Sequence, residues 1–135
     1  MARLVDSSVV IEMERRDRSL GALRRIVPGE PLALAAITAS ELLVGVHRAA
    51  SPERRSRRLD FIEAVLGEVP IIPFDLPIAR VHARVLAELT ATGQMIDAND
   101  LLIAATALAH GYDVLTHNLR HFERVPRLVV HRPSW

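Results

Sequence analysis

Three carboxylates, Asp6, Glu41 and Asp100, occupy places where chemistry could gather. Asp6 directly follows the apolar run Arg3 to Val5. Glu41 comes early in the helical stretch that begins at Thr38, and Asp100 opens the strongly apolar stretch Leu101 to His110. Carboxylates brought into one cleft repel each other unless they are protonated or bridged by a cation. Hard oxygen ligands of this kind suit Mg²⁺ or Mn²⁺. Mg²⁺ takes one or two carboxylates, keeps several waters and readily binds phosphate oxygens, so a solvent-open acidic cluster fits phosphodiester hydrolysis.

Each acid also has a local reading. Thr38-x-x-Glu41 has the form of a helix capping box, which would account for Glu41 through helix stability alone. Asp97-x-x-Asp100 reads as an acidic pair in a first helical turn, favourable to the helix dipole, with Asn99 as a further cap candidate. Asp6 has the least local reason to be acidic, because it ends a buried strand.

These residues converge only if the chain folds as alternating strands and helices. Arg3 to Val5 reads as a strand passing into a helix that carries Val9, Val10 and Met13. Pro28, Gly29 and Pro31 break the chain, after which Leu32 to Ile37 reads as a second strand. The helix from Thr38 then aligns Ala39, Leu42, Leu43, Val46 and Ala50 in one stripe. A helix over 53–66 presents Leu59, Phe61, Ile62 and Leu66. Val69 to Pro73 gives a third strand, and a long helix over 76–92 stops at Gly93. The helix over 101–110 stops at Gly111. Asp113 to Thr116, a helical turn over 118–122, and a strand over 128–130 complete the chain. This alternation predicts a single domain over residues 1–135 of the α/β class, a three-layer α/β/α sandwich with a mostly parallel central sheet. Ligands in such sheets bind beyond the carboxyl ends of the strands, where the three acids fall.

Composition removes several other chemistries. With no cysteine, disulfides, thiolate metal sites and cysteine nucleophiles are out. The 17 basic residues are all Arg and balance 16 acids to a net charge of +1, so no global field marks a nucleic-acid binder. Arg54, Arg55, Arg57 and Arg58 form a local cluster that could track an RNA backbone or simply solvate a helix face. The six histidines show no metal-site spacing and read as peripheral. A beginning that reaches Asp6 without a long apolar run predicts a cytoplasmic protein with no membrane association.

Four segments in order resemble a known family: Leu4-Val5-Asp6-Ser7-Ser8, Ile37-Thr38-Ala39-Ser40-Glu41-Leu42, Asn99-Asp100-Leu101-Leu102-Ile103-Ala104-Ala105, and Val114-Leu115-Thr116-His117-Asn118 with Phe122 to Leu128 behind it. Together they resemble the VapC-type PIN-domain ribonuclease toxins. The resemblance implies a Mg²⁺- or Mn²⁺-dependent endoribonuclease that cleaves tRNA or rRNA, a VapB-type antitoxin that holds it inactive, and a homodimer. It matches Asp6, Glu41 and Asp100 to the family's acids, with Asp6 and Asp100 as metal ligands. A fourth family acid is replaced here by Asn118, which could reach the metal through water, so one-metal chemistry is preferred. Ser7, Ser8, Thr38, Asp97 and Thr116 are the supporting hydrogen-bond candidates around the ligands. The loss of the fourth acid leaves a catalytically degenerate PIN-like binding module as an alternative, and a metal-dependent DNA nuclease as another.

Overall fold

The structure, a computed structural model, describes residues 2–135 apart from the Ile26 side chain. Its sheet has five strands: β1 (Arg3–Val5), β2 (Leu32–Ala35), β3 (Ile71–Ile72), β4 (Asp113–Leu115) and β5 (Val130–His131). They lie in the order β3-β2-β1-β4-β5 and every pairing is parallel. The pairing of β1 runs Arg3 against Leu32 on one side and Arg3 against Asp113 on the other.

Among the described residues seven helices cover the two faces: α1 (Ser7–Arg15), α2 (Leu20–Ile26), α3 (Ala36–His47), α4 (Pro52–Glu68), α5 (Leu76–Thr92), α6 (Ala98–His110) and α7 (Leu119–Phe122). The strand period of two decides which residue meets which layer. Leu4, Ala33, Ala35 and Val114 point into a core with Ile78, Val85, Ile103 and Phe122 of α5 to α7. Val5, Leu32, Leu34 and Leu115 point the other way, against Val9, Met13, Leu23, Leu42 and Ile62 of α1 to α4. Leu4 is fully buried. Burial of one such side chain is worth about 1.5–3 kcal/mol, and Leu4→Ala would open a cavity between the sheet and the α5 to α7 layer.

Several boundaries differ from the sequence expectation. The second strand ends at Ala35, not Ile37, and runs straight into α3, whose N-cap is Ala35. Thr38 therefore lies inside α3 and cannot start a capping box, and Ala50 lies beyond its end. Helix α2 was not anticipated; Ser19 caps it, accepting from Ala22 N at 3.4 Å, and Leu20 and Leu23 bury its inner side. On α4 the buried residues are Ile62 and Val65, while Leu59 is exposed. The last strand falls at Val130–His131 because Arg127, at φ 69°, turns the chain in the left-handed region before it can pair. The glycine stops at Gly93 and Gly111 are as expected, both in left-handed C-caps. Among the described residues no helix is long and apolar enough to cross a membrane.

Candidate active site

β1 and β4 are neighbours, yet the chain leaves β1 towards β2 on one side and β4 towards β5 on the other. That divergence opens a crevice at the carboxyl ends of the two strands, the usual ligand position in such sheets. Asp6 follows β1 and Thr116 follows β4, so both fall in it.

Asp6 is the N-cap of α1, in extended backbone at φ −77° and ψ 153°, but its side chain makes no cap hydrogen bond. An aspartate at this position ordinarily accepts from the first turn of its own helix, which is worth about 1 kcal/mol. Here Oδ2 instead accepts from Thr116 Oγ1 at 2.8 Å and from Ser8 Oγ at 2.7 Å. The two hydroxyls are themselves held: Ser8 Oγ accepts from His117 N at 3.1 Å, and Thr116 Oγ1 accepts from Asn118 N at 2.9 Å. The result is a carboxylate only 3 % exposed whose one oxygen is clamped, with Oδ1 outside the clamp.

Glu41 sits in the second turn of α3, since the helix begins at Ala36. Its capping role is thereby removed. Oε2 accepts from Asn99 Nδ2 at 3.4 Å, whereas Oε1 is buried with no hydrogen-bond partner among the described residues. Burial pushes the Glu41 carboxyl above its usual range; Asn99 opposes this, and the nearby charges of Asp6 and Asp100 add to it. Ser7 contributes the weakest of these effects, a polar contact favouring the ionised form.

Asp100 lies in the first turn of α6, but the cap of that helix is Asp97, whose Oδ2 accepts from Asn99 N at 3.1 Å. The Asn99 cap is thus ruled out, and Asp97 and Asp100 have separate tasks. Asp100 has a side chain only 14 % exposed, and its Oδ2 pairs with His121 Nδ1 at 2.9 Å. Burial raises its pKa, the charge of Asp6 raises it further, and the hydrogen bond from His121 holds it down in part. Asp6 acts on both Glu41 and Asp100, and Asp100 acts on Glu41, so the three acids form one electrostatic cluster.

The donors are all oxygens, two of the three acids resist ionisation, and one buried carboxylate oxygen is orphaned. That set fits a hard divalent cation, which would relieve the repulsion and partner the orphan. Among the described residues no three His, Cys, Asp or Glu side chains already close on a single point, so the arrangement is open rather than a preformed cage.

The other anticipated residues divide. Ser8 and Thr116 touch Asp6 directly, while Thr38 is fully buried with its hydroxyl unpartnered. Asn118 is exposed and contributes a backbone N–H to Thr116; its side chain makes no hydrogen bond among the described residues. Arg58 is committed, donating to Glu14 at 3.1 Å and to Gly45 O at 3.1 Å. Arg54 and Arg57 share with it, Arg18 and Phe61 the rim of a hollow whose lining includes none of Asp6, Glu41 and Asp100, and Arg55 is exposed. His121 is not peripheral, contrary to the sequence expectation: the fully buried Phe122 anchors α7, which sets His121 against Asp100. Asn99, a cap candidate in the sequence, instead donates to Glu41.

Residues 3–128 match the family model of the PIN domain. Ribonuclease VapC of Rickettsia bellii is 35 % identical over 130 residues, covering 96 % of this chain and 95 % of that protein. The chain belongs to the PIN-domain family, in its VapC ribonuclease branch. The tRNA(fMet)-specific endonuclease VapC of Salmonella typhimurium is 32 % identical over 95 residues, 70 % of each chain. Among solved structures, FitAcB from Neisseria gonorrhoeae superposes with a TM-score of 0.84 at 27 % identity, covering 97 % of both chains. VapBC2 from Rickettsia felis, bound to a DNA fragment from its promoter, gives 0.84 at 25 % identity and 98 % of both.

Proposed function

We propose that this VapC-type ribonuclease toxin cleaves RNA at the Asp6, Glu41 and Asp100 cluster with a bound Mg²⁺ or Mn²⁺. The observation that carries the reading is the clamped Asp6 carboxylate, turned away from its own helix and towards two hydroxyls, with Glu41 and Asp100 resisting ionisation beside it. Asp6 and Asp100 would hold the cation, with Asn118 reaching it through water. When bound, the cation eases loss of a proton from water and stabilises negative charge on the phosphate.

The chain's own residues supply the rest. Ser8 and Thr116 fix the Asp6 carboxylate so that no reorganisation is needed when substrate arrives. Glu41 has a raised proton affinity and a free Oε1, which fits it to accept the proton of the attacking water. His121 orients Asp100, and Asn99 orients Glu41. A relative named for specificity towards tRNA(fMet) supports tRNA as the substrate class. The gathering of Asp6, Glu41 and Asp100 and the ribonuclease relatives speak against the degenerate-module and DNA-nuclease readings, although Asn118 stands in place of a fourth acid.

Solved VapBC and FitAcB relatives support an antitoxin of VapB type as the partner. A groove of about 200 Å³ between α1, α3 and α4 is suited to its tail: Ile11, 43 % exposed, offers apolar anchorage over the buried Val10, Leu42 and Ile62, and Glu41 lies in its lining beside Arg15 and Arg58. A basic side chain of the antitoxin reaching Glu41 would inhibit by charge as well as by bulk. A second copy of the chain suits the face at the starts of α3 and α5, where Phe74 is 50 % and Leu76 62 % exposed beside an apolar hollow lined by Ile37, Ile72 and Leu102. The cytoplasm is the compartment that fits an RNA target.

Asp6→Asn and Asp100→Asn test the site. Each should abolish cleavage of a tRNA substrate while circular dichroism and melting temperature stay near those of the parent. Cleavage that survives either substitution would move the active site elsewhere.

A further inference from the structure

On the far side of His121 from Asp100 the surface holds a hollow of about 450 Å³, lined by Met95, Ile96, Asp97, Arg120, His121 and Arg124. It is joined to the acid cluster through one contact, His121 Nδ1 to Asp100 Oδ2 at 2.9 Å. Nothing in the cluster's chemistry requires this hollow, yet its lining is unusual for a protein with a net charge of only +1. Two guanidinium groups face one carboxylate, Asp97, whose Oδ2 is already occupied by Asn99 N.

The two arginines differ. Arg124 donates Nη1 to Met95 O at 2.9 Å and so fastens the loop before α6 to the segment after α7. Arg120 is exposed and makes no ion pair or hydrogen bond among the described residues. An uncommitted guanidinium beside a catalytic crevice is a forked phosphate donor. Next to it lie a flat imidazole, His121, and an apolar surface of Met95, 48 % exposed, and Ile96. Single-stranded RNA is bound by this combination: phosphate held by Arg, and unstacked bases laid on His rings, guanidinium planes and apolar side chains.

We propose that this hollow is a binding subsite for the nucleotide flanking the bond to be cut, with Arg120 holding its phosphate and Met95, Ile96 and the His121 ring carrying its base. The proposal rests on the cleavage site being the Asp6, Glu41 and Asp100 cluster, since it takes its direction from Asp100. Arg120 is then a substrate-binding residue, and Arg124 a positioning residue that acts through Met95.

Binding measured in EDTA separates the subsite from catalysis. A fluorescent single-stranded oligoribonucleotide of ~10 nucleotides is titrated against the full chain, its Arg120→Ala variant and an Arg25→Ala control. Arg25 is exposed near the end of α2, which leads to the start of β2 and hence to the opposite edge of the sheet. Arg120→Ala should weaken binding about tenfold and lower the slope of log affinity against log salt by ~0.7, the loss of one phosphate contact on a single strand. Arg25→Ala should change neither, and all three proteins should melt alike. In parallel, the Met95 methyl resonance should shift on adding the oligonucleotide while that of the buried Met13 stays put. Equal affinity and slope for Arg120→Ala and parent, an equal loss in Arg25→Ala, a silent Met95, or no binding by the parent would each overturn the subsite. Cleavage that survives Asp6→Asn or Asp100→Asn, with this binding pattern intact, would count against the catalytic assignment instead.

Discussion

The two sides of the acid cluster are built on opposite principles. On the β1 and β4 side, Asp6 is buried and clamped by two hydroxyls, each hydroxyl being held by a backbone N–H. On the α3 and α6 side, Glu41 keeps a buried oxygen without a partner, and burial raises the proton affinity of both Glu41 and Asp100. The first side is satisfied before anything binds; the second is left in deficit. Such a pairing lets a rigid anchor define the position of a cation while the unsatisfied groups supply the free energy that favours its arrival. A site satisfied on both sides would have little reason to bind one.

Glu41→Gln gives the largest separation between the halves. Removing a proton acceptor should reduce turnover by about 10²–10⁴-fold, the range for general base catalysis. The melting temperature should hold or rise slightly, because the substitution removes a carboxylate that burial and Asp6 already oppose. A lowered melting temperature with normal turnover would return Glu41 to a structural role.

Thr116→Val attacks the satisfied side with the acids intact. It keeps the shape of a fully buried residue, deletes the hydrogen bond to Asp6 and leaves Asn118 N without its acceptor. Activity and cation affinity should fall by about 10–100-fold, as when other groups supporting a metal ligand are removed. An effect as small as that of a surface substitution would mean that Asp6 does not depend on its clamp.

The smallest effect is on stability against pH. Glu41 and Asp100 bind protons more tightly in the folded chain than when unfolded, so they stabilise the cation-free protein most in acid. Their contribution is present below the ordinary carboxylate range and is lost as pH rises through their raised values. Glu12, whose pKa Arg16 lowers, works in the opposite sense. The measurement is therefore a difference: melting temperature from acid to neutral pH for the parent minus that for Glu41→Gln. The parent should lose more as pH rises, and saturating Mg²⁺ should flatten the difference. Parallel curves in the absence of metal would show the unsatisfied side to be no less settled than the other.

The same division explains what could be read from the chain alone. Buried apolar runs alternating with helical stripes disclosed the parallel sheet, and the acids at strand and helix ends disclosed the crevice. Helix α2 escaped because seven residues carry too few apolar repeats to distinguish a helix from the loop before Pro28. The Thr38-x-x-Glu41 pattern misplaced the start of α3 because a cap motif is local, whereas the strand and helix here join without a cap side chain. Partners in the site were hidden by distance along the chain: Thr116 lies 110 residues from Asp6, and Asn99 lies 58 from Glu41. No periodicity reports such pairings. His121 shows the cost most clearly, since only the burial of Phe122 beside it turns an apparently peripheral ring towards Asp100.

The central claim is that the clamped and unsatisfied sides meet on a divalent cation that RNA cleavage needs. It is tested most directly by stripping the purified protein with EDTA and following cleavage of a tRNA substrate as Mg²⁺ or Mn²⁺ is returned. Activity should vanish with chelation and return with a saturable dependence on the cation, and Asp100→Asn should need far more of it or fail to recover. Undiminished cleavage in EDTA would contradict the account.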